Sequence, residues 1–162
     1  GFPFIERPEI NRGERIEING FKGMTFKTGT GELSFEQLIL LLDALPADLT
    51  FVDENNKVRY FTRPKDRIFP RSAAIIGRDV ENCHPPKSLH MVNKIVEEFR
   101  NGTKDSATFW IDIKGKKILI QYFALRNSNN EYKGVLEVTQ DITEIQELEG
   151  ERRLLQWDNC WK

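Results

Sequence analysis

Both histidines of the chain, His84 and His90, fall within seven positions of each other, and Cys83 adjoins the first. Imidazole and thiolate are good ligands for zinc or for a haem iron, so this is the first place to look for chemistry. Three ligands at that spacing fall short of a closed zinc site, and no Cys-x-x-Cys pair is present, so no metal site is assigned. Cys83 and His84 are direct neighbours, a poor geometry for a nucleophile and its base. Gly29-Thr30-Gly31 lacks the further glycine and the strand-to-helix setting that phosphate binding needs. The carboxylate pairs Asp53-Glu54 and Glu97-Glu98 read as neighbours on solvated faces. Without a nucleophile, base and orienting group in one constellation, the chain reads as a non-enzyme.

The 162 residues carry 24 basic and 25 acidic side chains, a formal charge of −1. That balance gives no reason to expect nucleic acid or an anionic membrane as partner. A basic cluster, Arg59, Arg63, Lys65, Arg67 and Arg71, is interrupted by Asp66 and reads as a solvated loop as readily as a binding patch. No apolar run approaches the roughly 20 residues of a membrane span. The sequence shows no basic start followed by an apolar stretch and a small-residue cleavage site, and Cys83 and Cys160 are too few for a disulfide framework, so a cytoplasmic setting is expected. The start at Gly1 implies a piece of a longer protein.

The elements that must position these residues follow from pattern and punctuation. Residues 1–33, with short β-prone runs at 15–18 and 24–27, read as a linker or the remnant of an upstream domain. Ser34 and Gln37 fit a capping box ahead of Phe35, Leu38, Leu41, Leu42 and Leu45, an amphipathic helix that Pro46 ends. Two β-prone runs, 49–52 and 58–62, flank the polar turn 53–57 and form a hairpin. The proline-bearing stretch 63–85 is loop with short helical pieces. Pro86 opens a helix carrying Leu89, Val92, Ile95, Val96 and Phe99, which Asn101-Gly102 stops. Three antiparallel strands follow, 107–113, 117–126 and 132–142. From Thr143 to Lys162 the chain reads as a charged signalling helix and tail, with Ile145, Leu148 and Leu155 near coiled-coil spacing.

This order resembles a PAS domain. Gly77-Arg78-Asp79-Val80 followed by His84-Pro85 is similar to the passage before the long PAS helix, and Asp141-Ile142-Thr143 to the motif that closes the last PAS strand. The runs 45–53 and 82–88 resemble a bacterial group in which a PAS domain follows a domain of unknown function and a hemerythrin-like region. The resemblance implies an α+β fold: a five-stranded antiparallel sheet, short helices and one longer helix on one face, and flanking helices at both ends. The division expected is 1–33 linker, 34–142 PAS domain with its N-terminal flanking helix, and 143–162 C-terminal helix and tail.

The resemblance also places a ligand between the sheet and the long helix. Some PAS oxygen sensors hold haem through a histidine on that helix; counting back from Phe99-Arg100, its equivalent here is Val92, which cannot ligate iron. With ~100° per residue, His90 lies almost opposite the apolar stripe and reaches the cavity only if the helix begins late. Otherwise His84 caps or packs against the helix start and His90 faces solvent or a partner. Haem stays open. Asn82-Cys83 matches only two letters of the flavin-binding photosensory passage, and the flavin-contacting glutamine falls at Thr139, so no flavin adduct is expected. The ligand-binding candidates are His84, His90, Cys83, Val92, Val96, Phe109, Tyr122, Glu137 and Thr139.

The strands bear on partners. Phe109, Ile111 and Ile113 share one face of their strand, but residues 117–126 are apolar on both, Ile118, Ile120 and Tyr122 against Leu119, Phe123 and Leu125. A sheet apolar on both faces needs two covers, the second being the 35–45 helix, another copy of the chain, or both. In the last strand either Leu136, Val138, Gln140 and Ile142 point inward, or Val135, Glu137 and Thr139 do; only the second phase, implied by the resemblance, makes the cavity partly polar. The expected function is a sensor and interaction module, a homodimer relaying an unknown small molecule to its upstream domains. The alternative is a ligand-free dimerisation or docking scaffold.

Overall fold

The computed structural model describes residues 24–64 and 67–155. Strands β1 (Thr25–Thr28) and β2 (Gly31–Ser34) form a small antiparallel hairpin. It lies in the stretch read as linker; the β-prone run at 15–18 and the tail beyond Leu155 lie outside the described residues. Helix α1 (Phe35–Ala44) starts on the expected capping box, Ser34 Oγ accepting from Gln37 N and Gln37 Oε1 from Ser34 N. The rings of Phe26 and Phe35 meet at 5.6 Å and fasten the hairpin to the helix.

Strands β3 (Asp48–Asp53) and β4 (Val58–Phe61), helix α2 (Pro86–Arg100), and strands β5 (Ser106–Ile113), β6 (Lys116–Arg126) and β7 (Tyr132–Asp141) complete the domain. The five long-range strands form one antiparallel sheet in the order β4-β3-β7-β6-β5. The fold is therefore the α+β arrangement expected, with β7 between β3 and β6. Short 3-10 turns at Ala73–Ile75 and Val80–Cys83 occupy the β4–α2 connection.

The hairpin turn is built by Asp53, whose Oδ1 accepts from Asn55 N and Lys57 N at 2.9 and 3.0 Å while Oδ2 pairs with Arg59. Burial works to raise the Asp53 pKa, but the bonds from Arg59, Lys57 and Asn55 outweigh it and hold the carboxyl below its ordinary value. The Gly77-Arg78 passage runs along the free edge of β4. Gly77 N donates to Val58 O at 2.7 Å, Val58 N to Arg78 O at 3.0 Å, and Val80 N to Asn56 O at 2.8 Å. Gly77 turns there at φ +84°, a conformation that favours glycine.

Helix α2 buries Val92, Val96 and Phe99, the stripe its periodicity predicts. Its last turn is tied to the β3–β4 turn by Arg100, which donates to Glu54 O and to Asn56 Oδ1 and lies 5.1 Å over the Tyr132 ring. Two apolar clusters result. Val96 and Phe99 pack with Ile118, Ile120, Tyr122 and Val135, and Val92 packs with Val52, Val58 and Val80.

One expectation fails. The described residues after β7 form only a 3-10 turn at Ile145–Glu147 and then no regular structure to Leu155. Gly150 turns at φ +64°, and Leu148, Leu154 and Leu155 are exposed. A short charged segment with no surface to bury its leucines gains too little from propensity to hold a helix.

Candidate functional site

Direct pairing across an antiparallel sheet puts partner side chains on the same face, so register alone assembles the inner surface. One row reads Phe61, Thr50, Glu137, Tyr122, Ala107 from β4 to β5; the next reads Asp48, Thr139, Ile120, Phe109. Val135 and Thr139 are buried, and Glu137 is 12% exposed at its side chain. The last strand thus takes the phase that turns Val135, Glu137 and Thr139 toward α2. Asp48, Thr50, Glu137 and Thr139 form a polar band on this face beside the two apolar clusters, which meet where Val52 pairs with Val135.

Two arginines from the connection after β4 enter that band. Arg67 donates Nε–H to Phe69 O at 2.8 Å, Nη1 to Thr62 O and Nη2 to Thr50 Oγ1 at 3.1 Å, and its guanidinium lies 5.3 Å over the Phe61 ring. Asp48, 3.9 Å from Arg67 Nε, accepts from the backbone N–H of Ile68 and Phe69 at 2.7 and 3.1 Å. This set is closed, each charge carrying several partners; burial still draws the Arg67 pKa below the usual arginine value. Arg71 differs. Its Nη2 stands 3.6 Å from Glu137 Oε1, longer than a hydrogen bond, and its buried Nε has no hydrogen-bond partner among the described residues. Among the described residues Glu137 otherwise receives one long bond, 3.4 Å from Thr139 Oγ1.

Tyr122 faces Glu137 in register and stacks on Phe109 with ring centroids 5.8 Å apart. Burial, and then the Glu137 charge, push its hydroxyl well above the ordinary tyrosine pKa, so it remains a proton donor at neutral pH. A cleft of about 1010 Å³ is lined by Asp43 to Asp48 at the end of α1, by Arg67, Ile68 and Phe69, and by Ile113, Ile118 and Asp141; of the polar groups above it takes in Asp48 and Arg67. It therefore touches both the helix that enters the domain and the strand end that leaves it. At that end Asp141 Oδ1 accepts from Thr143 N and Thr143 Oγ1 at 3.0 and 2.6 Å, and Lys117 N donates to Thr143 Oγ1 at 2.9 Å.

Of the residues singled out by sequence, Val96, Phe109, Tyr122, Glu137 and Thr139 meet on or above the inner face, and Val92 lies in the adjoining cluster. His90 is exposed: α2 begins at Pro86, so the late start that would turn His90 inward does not occur. His84 is half-buried and donates Nδ1–H to Val80 O at 2.9 Å, closing the 3-10 turn. Cys83 donates to Asp79 O at 3.7 Å, and burial raises its thiol pKa, which keeps it protonated. Among the described residues no three His, Cys, Asp or Glu side chains converge in a group that would hold a metal ion.

Asp48, Thr50, Arg67 and Arg71 went unread in the sequence. Of the two readings of the basic cluster, solvated loop does not hold for Arg67 and Arg71, whose side chains are only 11% and 14% exposed. They turn inward because Asp48, Thr62 O, Thr50 and Glu137 wait there as acceptors or counter-charges.

A family model described as a PAS domain matches residues 38–143. The crystal structure of a C-terminal domain from Streptococcus mutans is 37% identical, covers 78% of this chain and 98% of its own, and superposes with a TM-score of 0.73. The PAS domain of a protein from Colwellia psychrerythraea is 18% identical over 67% of this chain and 96% of its own, with a TM-score of 0.50. Among curated proteins none matches.

Proposed function

This chain belongs to the PAS domain family, and we propose that it is a sensor and interaction module that binds a small molecule between the sheet and α2. The observation that carries the reading is the polar pair of Thr50 and Glu137 on the inner face, with Arg71 against Glu137 and Tyr122 of the first apolar cluster beside it. A region built only for stability would fill this space with apolar side chains, because under-bonded buried charge is costly. Binding sites instead combine apolar walls with a few convergent polar groups. The relay runs through the cleft, whose walls include both the α1 end and Asp141. Occupancy then shifts how those flanks pack, provided the ligand binds one arrangement more tightly than the other. The signal passes to dimer or domain contacts, including an upstream part that carries a domain of unknown function and a hemerythrin-like region in a bacterial cytoplasm.

The test is mass spectrometry of small molecules released on denaturing freshly purified protein, with metal analysis and an absorption spectrum. A stoichiometric ligand supports the sensor. No ligand, chromophore or metal, together with an experimental structure whose inner face is filled by its own side chains, overturns it.

A second reading, a ligand-free dimerisation scaffold, is favoured by Leu40 and Leu41 on α1 and Trp110 on β5, all about half exposed or more. A haem sensor is the lesser variant. His84 would serve it, since its Nδ1 is held by a backbone carbonyl and leaves Nε2 free. Soret absorbance that is lost in His84→Ala would support it.

A further inference from the structure

The under-bonded end of the polar band specifies a class of ligand, an inference that rests on the sensor reading above. Four charges enter the region: Arg67 with Asp48, and Arg71 with Glu137. They sum to zero. A ligand with net charge would add an uncompensated charge to a buried region, whereas one with equal and opposite charges adds none.

The two pairs differ in what they lack. Arg67 makes three hydrogen bonds and Asp48 accepts two, to backbone and hydroxyl partners. No hydrogen bond joins Arg71 to any described residue, and its Nε is fully buried. A guanidinium has five N–H donors in a planar fork whose best complement is a carboxylate. Glu137, with one bond of 3.4 Å from Thr139, has acceptor capacity to spare and calls for a donor, best a cationic one. Because the two groups stand 3.6 Å apart at their nearest atoms, the missing acceptor and the missing donor must be neighbours in the ligand. Beside them, the Tyr122 hydroxyl supplies a further donor, and the stacked Phe109–Tyr122 pair with Ile120 supplies an apolar wall.

We propose that Arg71 and Glu137 form the polar end of a site for a small zwitterion of the α-amino acid class, Arg71 holding its carboxylate and Glu137 its ammonium. Tyr122 bonds the same head group, and an uncharged side chain lies against Phe109.

The probes are the aliphatic L-amino acids, with isovalerate (valine without its ammonium) and isobutylamine (valine without its carboxylate) as controls. Calorimetry and thermal shift are run on the chain after denaturation and refolding to remove any resident ligand. An aliphatic amino acid should bind, and both controls should bind at least about tenfold more weakly, as loss of a charge-assisted bond requires. Arg71→Lys, which keeps the charge and loses the fork, and Glu137→Gln should each weaken amino-acid binding by a similar factor; circular dichroism checks that both variants fold. Equal binding of isovalerate and L-valine would overturn the zwitterion. So would release from the wild-type protein of a ligand that is not an amino acid and that Arg71→Lys retains; both outcomes leave the sensor reading standing. Finding only ordered water between Arg71 and Glu137 in a structure soaked with L-valine also overturns it. The absence of any releasable small molecule would instead remove the sensor reading itself.

Discussion

At Gly134 the inner sheet leaves no room for a side chain. The residue lies on β7 opposite Asp53, with φ at +138°, and a Cβ built there would stand 2.2 Å from Val52 O and 2.9 Å from the Phe51 ring. Those atoms belong to the central β3–β7 pairing and cannot yield without moving a strand. Gly134→Ala should therefore lose about 2–4 kcal/mol, strain and overpacking together, in urea unfolding. Gly115, in the β5–β6 turn at φ +81° with nothing near its absent Cβ, isolates the conformational part. Gly115→Ala should cost only about 1 kcal/mol. Equal losses in the two variants would mean that the close approach at Gly134 does not matter.

Among the elements, the strand exit is where a motif acquires a mechanism. Asp141 closes a turn on Thr143, whose hydroxyl is both donor to Asp141 and acceptor from Lys117 N, so one side chain stitches the end of β7 to the start of β6. Thr143→Val should cost about 1 kcal/mol and accelerate exchange of the Lys117 amide, leaving amides in α2 unchanged. The bonds from Thr143, side chain and then backbone, hold the Asp141 carboxyl below its ordinary value. A depressed carboxyl stabilises above its unfolded pKa, near 3.9, and loses that contribution as pH falls through the folded value. Protection at Lys117 should therefore fade on acidification below about pH 4, and Asp141→Asn should abolish the pH dependence. An exchange rate in wild type that ignores pH after correction for intrinsic chemistry would remove this role. Features of this local kind were legible beforehand: the capping box at Ser34, the stop at Asn101-Gly102, and the sheet strands that turn residues punctuate. The inward phase of β7 was legible only through the Asp141-Ile142-Thr143 motif, because Leu136 and Val138 make the opposite phase equally apolar. Arg67 and Arg71 were not legible. Whether an arginine turns in depends on acceptors such as Asp48, some 20 residues away, and no local pattern records them. The helix expected after Thr143, absent from the described residues up to Leu155, has the converse cause, a local pattern without a surface to bury it.

On the scale of the whole molecule, the outer sheet face and α1 leave large apolar side chains uncovered. Register places Trp110, Leu119 and Gln140 in one row and Phe123, Leu136, Phe51 and Tyr60 in another. These are partly buried except Trp110, which is 64% exposed, and on α1 no residue is buried while Leu40 and Leu41 stand about half exposed. Exposed aromatic and leucine side chains of this kind are what an interface core uses, and truncating a buried tryptophan anchor typically costs 2 kcal/mol or more. Removing it by Trp110→Glu, or Leu41→Glu on the helix, should weaken self-association by about thirtyfold or more in sedimentation equilibrium, with the far-UV spectrum unchanged. The two substitutions also separate the surfaces. Loss of dimer with Trp110→Glu alone assigns the interface to the sheet, and with Leu41→Glu alone to the flanking helix. A wild-type chain that stays monomeric up to about 100 μM, where even a weak specific interface would associate, removes dimerisation through either surface. The ligand experiments then bear on the molecule alone, because a monomer must pass any signal through the α1 end and Asp141, the two flanks that the cleft touches.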